Sequence, residues 1–353
     1  MLTTLITTIT TLLAVQLSQP ILWDIDALNR KDSHVVATDA GRILRKAPVV
    51  VTDKPARIVS DTHYYVSIGI YWWPDPENPD APYIRRDGDI NPEVQDYDSP
   101  KFSKLVQNLT TLSQAFYLTG DKRYYDGWLT QLKAWFLDSE TKMYPNLEYG
   151  QIHPGHNGNI GNAAGIIEMY HLQDVLESIR LVNMYADIPE DVLDGMQKWT
   201  SDFADWLMTS KIGIAESRTK NNHAIAYDAL LYNLCEFAGR SDISRKISDE
   251  FVTNRLEKQI MADGSQPEEL ARTRAWHYVV YNLQHVVDFC VMQDRAGNNM
   301  YKDNKALIDS AFDWARPYIG HPEIFPYQEK MSTWDDEEKS LKAEMKRVEK
   351  LVQ

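Results

Sequence analysis

Residues 99–120 read SPKFSKLVQNLTTLSQAFYLTG and set a pattern that the rest of the chain repeats. Ser99 followed by Pro100 predicts a helix start, with serine as the N-cap and proline at the first helical position, and Gly120 predicts the helix end. The apolar residues between them recur with the helical period and fall on one face: Phe102, Leu105, Val106, Leu109, Leu112 and Phe116. The stretch therefore predicts an amphipathic helix that buries one side against a core.

The helical period continues through the residues that follow. The next predicted helix has a buried face made of Tyr124, Trp128, Leu132, Trp135 and Phe136. Further amphipathic segments lie at 162–185, 190–209, 222–238, 241–259, 275–292 and 303–315, and a terminal helix is predicted from Thr333, as its cap, to Val352. Short polar turns join most of these segments, and sequence patterns typical of strands are scarce.

Many successive antiparallel helix hairpins in one chain predict an all-α fold, and specifically an (α/α) toroid, an incomplete α/α barrel. A globular helical bundle is the alternative, because periodicity does not distinguish the two. No repeat of fixed length is visible, which disfavours a solenoid. No Pro/Gly/Ser-rich linker divides the 353 residues, so we predict a single domain at 21–353.

The first 20 residues, MLTTLITTITTLLAVQLSQP, have a short core of apolar residues and threonines, followed by small and polar residues. This arrangement resembles the hydrophobic region of a signal peptide, although no Lys or Arg precedes it. The apolar run is too short and too polar to span a membrane. We therefore expect a signal peptide at 1–20 and a secreted or periplasmic protein, with a plain N-terminal helix as the alternative.

The formal net charge of −14 at pH 7 repels polyanions, so we expect no nucleic-acid partner and no anionic membrane partner. We also expect a monomer. A polyanionic substrate would need a local basic cleft. The pairs Arg85/Arg86 and Arg272/Arg274 are the candidates for one, with ordinary surface arginines as the alternative.

Three segments break the helical rhythm and concentrate polar and aromatic residues, as functional loops on a rigid scaffold do. The first covers residues 64–93. Its aromatic rings could stack on the apolar faces of sugars, and its basic side chains could pair with carboxylates. The candidates for substrate binding are Trp72, Trp73, Tyr83, Arg85 and Arg86. The alternative is that the tryptophans pack the loop onto the body of the protein.

The second segment covers residues 144–162 and begins as a loop rich in Gly, Asn and His. Its neutral donors and acceptors are of the kind that bind sugar hydroxyls: Gln151, His153, His156 and Asn157. His153 and His156 have a spacing that could suggest a metal site, but no carboxylate or cysteine stands at a matching spacing. We therefore expect no metal and no cofactor.

The third segment joins residues 213–223 to residues 264–281. β-Elimination from a uronate requires neutralisation of the C6 carboxylate, a base for the C5 proton and an acid for the leaving O4 oxygen. Asn222, His223 and Arg272 are suited to the carboxylate. Tyr278 could act as base and acid if a nearby cation lowers its pKa. Each residue alone is more often a packed core residue, and the combination is what indicates this chemistry.

Several blocks of the sequence resemble the alginate lyase superfamily, which includes polysaccharide lyase families 5 and 38. In chain order the blocks are WWPDP…PYIRRDGDINPE, NLEYGQIHPGHNG…GIIE, NNH and ELARTRAWHY. The closer resemblance is to family 38, which acts on poly-mannuronate-type alginate or on glucuronan from an (α/α) toroid. The resemblance implies a lyase that leaves 4,5-unsaturated ends. It further implies that Tyr278 transfers the protons, that His223 is a second base or a neutraliser, that Asn222 and Arg272 bind the carboxylate, and that Glu216 orients its neighbours.

Two features depart from the family pattern. In family 5 the arginine and the tyrosine are one residue further apart than Arg272 and Tyr278, so the pairs Arg274/Tyr278 and Arg274/Tyr281 stay open. A separation of six does not place two side chains on one helical face, so the Arg272 assignment requires a helix that begins after Arg272. The second departure is His156, where relatives often have another residue type.

Two other functions compete with the lyase. A glycoside hydrolase on the same fold would need two carboxylates, for which Glu216 with Glu268 or Glu269 are the candidates. A non-catalytic glycan-binding protein would keep the cleft without turnover, but it would be expected to lose the tyrosine or the histidine, and both are present.

Overall fold

The computed structural model of the protein describes residues 19–55, 58–330 and 333–352, so residues 1–18 of the predicted signal peptide lie outside the described residues. Within these ranges the first α-helices are α1 (Ile25–Asn29), α2 (Ser33–Ile43), α3 (Asp98–Thr119), α4 (Lys122–Phe136), α5 (Leu172–Asn183), α6 (Glu190–Thr209), α7 (Lys211–Ser217) and α8 (Asn222–Phe237). They are followed by α9 (Ser241–Phe251), α10 (Glu257–Gln259), α11 (Pro267–Leu270), α12 (Ala275–Arg295), α13 (Met300–Asp303), α14 (Lys305–Ala315) and α15 (Trp334–Lys350). No helix in the described part of the chain is long and apolar enough to cross a membrane.

The long helices form an inner and an outer row. In the inner row α3 contacts α5, α5 contacts α8, and α8 contacts α12, while α2, α4, α6, α9 and α15 pack against them from outside. A helix that is buried all round belongs to the inside of a fold. In α8 every residue is buried except His223 and Glu236. His223 is therefore a polar side chain that leaves a buried helix, and it leaves on the side of the cleft described below.

Two hydrophobic cores fill the space between the rows. The first lies among α2 to α8 and contains Trp128 and Trp135; the second lies among α8 to α15 and contains Trp276 and Phe289. Helix α8 contributes to both. Truncating one such aromatic residue to alanine typically costs about 3–5 kcal/mol, so these cores contribute strongly to the stability of the fold.

Within the described residues, four short strands organise the loops. β1 (Val66–Ile68) pairs in parallel with β4 (Tyr149–Ile152), and β2 (Trp72–Trp73) pairs antiparallel with β3 (Ile84–Arg85). The first pair brings together the two loop segments that the sequence separates by about 80 residues. Next to β4, a side chain on Gly165 would lie 2.6 Å from the carbonyl carbon of Gly150, so only glycine permits this close approach.

Most helical predictions are confirmed, and the differences are local. The segment 190–209 is α6, and Gly120 ends α3 in the left-handed conformation with φ of 68°. The predicted N-cap at Ser99 is wrong: α3 begins at Asp98, whose buried carboxylate accepts hydrogen bonds from Lys54 and from the backbone N–H of Val66. The segment 162–185 starts as a 3-10 helix at Ala163–Met169, and the segment 241–259 is interrupted by a π-helical turn at Val252–Leu256.

Candidate active site

A cleft of about 500 Å³ lies where the loops meet the helices of the inner row. It brings together residues from all three segments that the sequence singled out. Its lining residues are Ile70, Tyr71, Trp72, Arg85, Gln151, His153, Ala164, Ile167, Asn222, His223, Arg272, Arg274, His277, Tyr278 and Tyr281.

Tyr278 and Arg272 form the centre of the cleft. Arg272 lies in the break between α11 and α12, so the helix begins after it, as the sequence required. Its Nη2 donates to the hydroxyl of Tyr278 at 2.9 Å, and its guanidinium carbon lies 3.9 Å from the centroid of the Tyr278 ring. The hydroxyl of Tyr71 lies 2.9 Å from the same Tyr278 oxygen. A phenolate at Tyr278 would thus have a cation and a hydroxyl donor already in place.

The pKa of Tyr278 is shifted in the opposite direction to the one that the sequence predicted. Burial raises the pKa of Tyr278 above its usual range, and the neighbouring Tyr71 adds to the shift, while Arg272 opposes it. Arg272 does lower the pKa of Tyr278, as expected of a cation, but this effect is smaller than the increase caused by desolvation. Tyr278 is therefore mostly protonated near neutral pH.

Asp87 holds Arg272 from behind. Its Oδ1 accepts from Nη2 of Arg272 at 3.1 Å and from Nη2 of Arg85 at 2.7 Å, and its Oδ2 accepts from the hydroxyl of Thr273 at 2.9 Å. Burial alone would raise the pKa of Asp87, but the bonds from Arg272 and Thr273 outweigh it and lower the pKa to about 2. The next residue, Gly88, has φ of 84° and lies so close to Thr273 that a side chain there would approach its Oγ1 to 2.8 Å.

His223 is fixed by Glu216, a residue of α7 that is almost completely buried. Nδ1 of His223 lies 2.6 Å from Oε1 of Glu216. Since a carboxylate accepts hydrogen bonds, the neutral imidazole carries its hydrogen on Nδ1 and has a lone pair on Nε2. The protonated imidazole donates from Nε2 instead, with Glu216 stabilising its charge.

Asn222 is fixed by Glu269 in the same way. Its backbone N–H donates to Oε1 of Glu269 at 2.5 Å, and its Nδ2 donates to Oε2 at 2.7 Å. Burial raises the pKa of Glu269 to about 7, although the two bonds from Asn222 oppose the shift. An amide nitrogen has two hydrogens, so one remains for a ligand in the cleft.

The loops form the opposite wall of the cleft. Trp72 stacks on His153 with ring centroids 3.8 Å apart, and Arg85 stands opposite Trp72 in the β2–β3 pair. Burial, together with the nearby His156, lowers the pKa of His153 to about 4, so His153 is neutral near pH 7. Gln151 has φ of 46°, which is unusual for a residue other than glycine and typical of functional sites.

The remaining predicted site residues do not line the cleft. Trp73 donates to the carbonyl of Asp89, and the guanidinium of Arg86 lies 5.1 Å from its ring. Tyr83 and His156 are joined through a bond from the histidine ring to the Tyr83 carbonyl at 2.8 Å. Asn157 is exposed at the start of a 3-10 helix, and Glu216 acts from behind His223. For the loop residues, a direct role in substrate binding stays a prediction.

Arg274 occupies a different place from Arg272. It precedes α12, is only 7% exposed and lines the cleft, with Nη2 3.3 Å from Oγ1 of Thr333. Tyr281 lies one turn beyond Tyr278 and also lines the cleft. Of the pairings that the sequence left open, Arg272 with Tyr278 is the one with a hydrogen bond.

Comparison with known proteins gives the family. The sequence model of the alginate lyase family matches residues 50–325. The crystal structure of an alginate lyase from Bacteroides ovatus has a TM-score of 0.88 and 35% sequence identity, covering 94% of this chain and 91% of that chain. The chain belongs to the alginate lyase family. Alginate lyase A1-III from Sphingomonas species A1 has a TM-score of 0.52 and 15% identity over 83% of this chain and 78% of its own, and supports the fold alone. No match is found among the curated proteins.

As a member of the alginate lyase family the protein is a polysaccharide lyase with the predicted (α/α) toroid fold, and its family implies an anionic polysaccharide substrate. The site does not favour the hydrolase. Neither Glu216 nor Glu269 lines the cleft, because their carboxylates hold His223 and Asn222 from behind. Two carboxylates flanking a glycosidic bond, as hydrolysis requires, are thus not provided by these residues.

Sequence reasoning missed two polar residues of this lyase cleft. Tyr71 bonds to Tyr278, and His277 lines the cleft beside it. Both are adjacent in sequence to predicted site residues, Trp72 and Tyr278. The available signal for His277 was its spacing of four from Tyr281, which places the two on one face of α12.

Proposed function

We propose that the protein cleaves a mannuronate-type alginate or a glucuronan by β-elimination, with Tyr278 as base and acid. The observation that carries the proposal is the hydrogen bond of 2.9 Å from Arg272 to the Tyr278 hydroxyl, in a cleft that Asn222 and His223 also line. A tyrosine held by an arginine beside an amide and an imidazole has the groups that elimination from a uronate needs.

The carboxylate of the sugar to be cut is bound by Arg272 and Asn222, with His223 beside them. Arg272 supplies a fixed positive charge and Asn222 the free hydrogen on Nδ2, while the lone pair on Nε2 of neutral His223 is available as a second base. Neutralising the C6 carboxylate stabilises the negative charge that develops when C5 loses its proton. Glu216, Glu269 and Asp87 keep these three groups in position.

Tyr278 then moves one proton. Its phenolate takes the hydrogen from C5, the electrons of that bond form the C4–C5 double bond, the C4–O4 bond breaks, and the phenol returns the proton to O4. In mannuronate and glucuronate the C5 hydrogen and O4 lie on the same side of the ring, so one group can reach both. This shared stereochemistry is why we assign the two polymers together and place guluronate apart.

The mechanism requires a phenolate at Tyr278, so the reaction rate should depend on pH. Because burial raises the pKa of Tyr278, only a small fraction is ionised near neutral pH, and Arg272 and Tyr71 stabilise that fraction. The rate on mannuronate or glucuronate should therefore rise from neutral toward alkaline pH until the protein unfolds.

The neighbouring sugars are bound by the loops. Trp72 and His153 offer ring faces to a sugar, Arg85 offers a positive charge, and Gln151 offers an amide. The same proposal includes export to the periplasm or outside the cell, because a long polysaccharide is met outside the cytoplasm. It also includes action as a monomer.

The test is the ultraviolet absorbance of the new double bond when the purified protein is given poly-mannuronate, glucuronan and poly-guluronate in parallel. The proposal expects absorbance to rise on mannuronate or glucuronan and to stay flat with a Tyr278→Phe variant that is still folded. A rise only on poly-guluronate would contradict the use of one residue as base and acid. Flat traces on all three polymers would contradict the assigned substrates.

A further inference from the structure

Residues 327–330 and 333–337 follow the stretch that matches the family, and they lie against the start of α12. The backbone N–H of Ala275 donates to the carbonyl of Gln328 at 3.0 Å, and that of Lys330 donates to the carbonyl of Thr273 at 3.0 Å. Arg274 and Glu329 form the β-bridge between them. Residues 327–330 and 333–337, hereafter the C-terminal strap, are thus joined to the residues that line the cleft.

The strap, which includes the start of α15, places the carboxylates of Glu329 and Glu337 against α12. Oε2 of Glu329 accepts from the backbone N–H groups of Trp276 at 3.0 Å and of His277 at 3.3 Å, which are groups that a helix start leaves without intrahelical partners. Oε1 of Glu337 lies 2.5 Å from Nδ1 of His277. The first carboxylate fixes the backbone and the second fixes the ring.

His277 is therefore held as His223 is held. Its Nδ1 faces a carboxylate, its ring lies parallel to that of Tyr281 with an interplanar angle of 12°, and it lines the cleft. Among the described residues no hydrogen-bond partner is found for its Nε2. With hydrogen on Nδ1, the neutral ring offers the lone pair of Nε2 to a hydroxyl in the cleft.

Arg274 lies one turn before His277 on the same wall. It is 7% exposed, its Nη2 is 3.3 Å from Thr333, and its Nε is 4.0 Å from Oε1 of Glu329. Within the described part of the chain, its Nε is buried without a hydrogen-bond partner. Arg274 lines the cleft, so its guanidinium can present its Nη donors to a carboxylate ligand.

We propose that Arg274 and His277 form a second uronate subsite, next to the sugar that is cut, and that the C-terminal strap holds both residues in place. Arg274 binds the carboxylate of the neighbouring uronate, and Nε2 of His277 accepts one of its hydroxyl hydrogens. The proposal rests on the proposed function in that the ligand is a uronate chain. The second subsite is separate from the position of the cut sugar, which Tyr278 and Arg272 contact.

The kinetic test uses mannuronate and glucuronate oligosaccharides of increasing length, from disaccharide to hexasaccharide. A subsite for a neighbouring sugar contributes to binding rather than to proton transfer, so His277→Ala should raise KM about three- to tenfold on the longer oligosaccharides, with little change in kcat. Glu337→Gln should give part of the same increase, because the ring loses its charged partner. The advantage of long over short substrates should shrink in both variants.

The matched control is His321→Ala. His321 also pairs through Nδ1 with a glutamate, Glu323 at 3.0 Å, in the same part of the chain, but it is exposed and does not line the cleft. Its substitution should leave KM unchanged at every length. A loss of kcat in His277→Ala at all lengths would overturn the subsite, since it would place His277 in the chemistry. Unchanged kinetics would overturn it as well.

Calorimetry separates this proposal from the proposed function. In a Tyr278→Phe background, mannuronate and glucuronate hexasaccharides can be titrated without turnover, and Arg274→Gln or His277→Ala should weaken binding by about tenfold or less per hydrogen-bonding group lost. If the wild type yields no unsaturated product but the background variant binds a hexasaccharide through Arg274 and His277, the reaction fails and the subsite stands. Equal binding in all variants, or none in any, overturns the subsite.

Discussion

The two walls of the cleft are built differently. The helix wall is formed by α7, α8, α11 and α12 and carries Asn222, His223, Arg272 and Tyr278. The loop wall is formed by β2, β3 and β4 and carries Trp72, Arg85, Gln151 and His153. On the helix wall three of the four polar groups have a carboxylate behind them. On the loop wall Trp72 and His153 are held by the stacking of their rings, and the exposed Arg85 shares Asp87 with Arg272.

The difference fits the proposed roles, with the chemistry on the helix wall and sugar binding on the loop wall. A buried charged or polar group is costly unless its partners are in place, so each carboxylate of the helix wall also fixes the geometry of its neighbour. Catalysis requires that fixed geometry, because the stabilising groups must be aimed at charge as it develops. The loop wall, on which Trp72, Arg85 and His153 are at least partly exposed, is suited to binding sugars. Substitutions on the two walls should therefore have unequal effects.

The largest effect is expected for Tyr278→Phe. Removing the hydroxyl removes both proton transfers, so kcat should fall by about a thousandfold or more. Tyr281→Phe is the matched control, because Tyr281 lines the same cleft one turn further along α12. Steady-state assays of both variants check this, and comparable losses in the two would show that the helix wall does not single out Tyr278.

Glu216→Gln should have the second-largest effect. The amide still fills the space but no longer provides a charged acceptor for Nδ1 of His223, so kcat/KM should fall about 10- to 100-fold. The decrease should be accompanied by a preserved melting temperature. Full activity in this variant would mean that His223 needs no orientation by its carboxylate.

Asp87→Asn should lower kcat/KM by about tenfold, because Arg272 loses a charge-assisted bond and is less firmly placed beside Tyr278. Asp89→Asn is the control: Asp89 is in the same loop, but its carboxylate is exposed and lies 4.0 Å from Lys330. Kinetics of both variants at equal ionic strength test the difference. The idea that Asp87 belongs functionally to the helix wall fails if the two behave alike.

Within the loop wall, Arg85→Ala and Arg86→Ala should differ by a few-fold. Arg85 lines the cleft, whereas Arg86 lies against Trp73 outside it. The exposed Arg85 is expected to contribute about 1 kcal/mol or less to binding, so KM should rise by roughly fivefold at low salt and less at high salt. An equal rise in the two variants would indicate a diffuse basic surface instead of a defined contact.

The smallest effect concerns stability. Burial raises the pKa of Glu269 to about 7, against about 4.3 in an unfolded chain. Between these values the folded protein binds the proton and the unfolded chain does not, so the contribution of Glu269 is greatest at low pH and is lost as pH rises. The melting temperature should fall from about pH 5 to about pH 8, and less steeply in Glu269→Gln. The exposed neighbour Glu268→Gln should keep the wild-type slope.

The sequence by itself determined the helical architecture and the three segments that meet in the cleft. Apolar residues at the helical period, glycine at Gly120 and the Pro/Trp/His-rich interruptions are local features, and local features are what a sequence displays directly. The same reasoning placed Asn222, His223, Arg272 and Tyr278 together, because the chemistry of elimination requires those residue types.

Only the tertiary structure decided which carboxylates hold the cleft residues in position. Asp87 is 185 residues from Arg272 and Glu269 is 47 residues from Asn222. The approach of Glu337 to His277 likewise depends on where α15 packs. The direction of the Tyr278 pKa shift was also decided by burial, which outweighs the nearby arginine. Burial and long-range pairing arise from the packing of the whole chain, so no short stretch of sequence contains them.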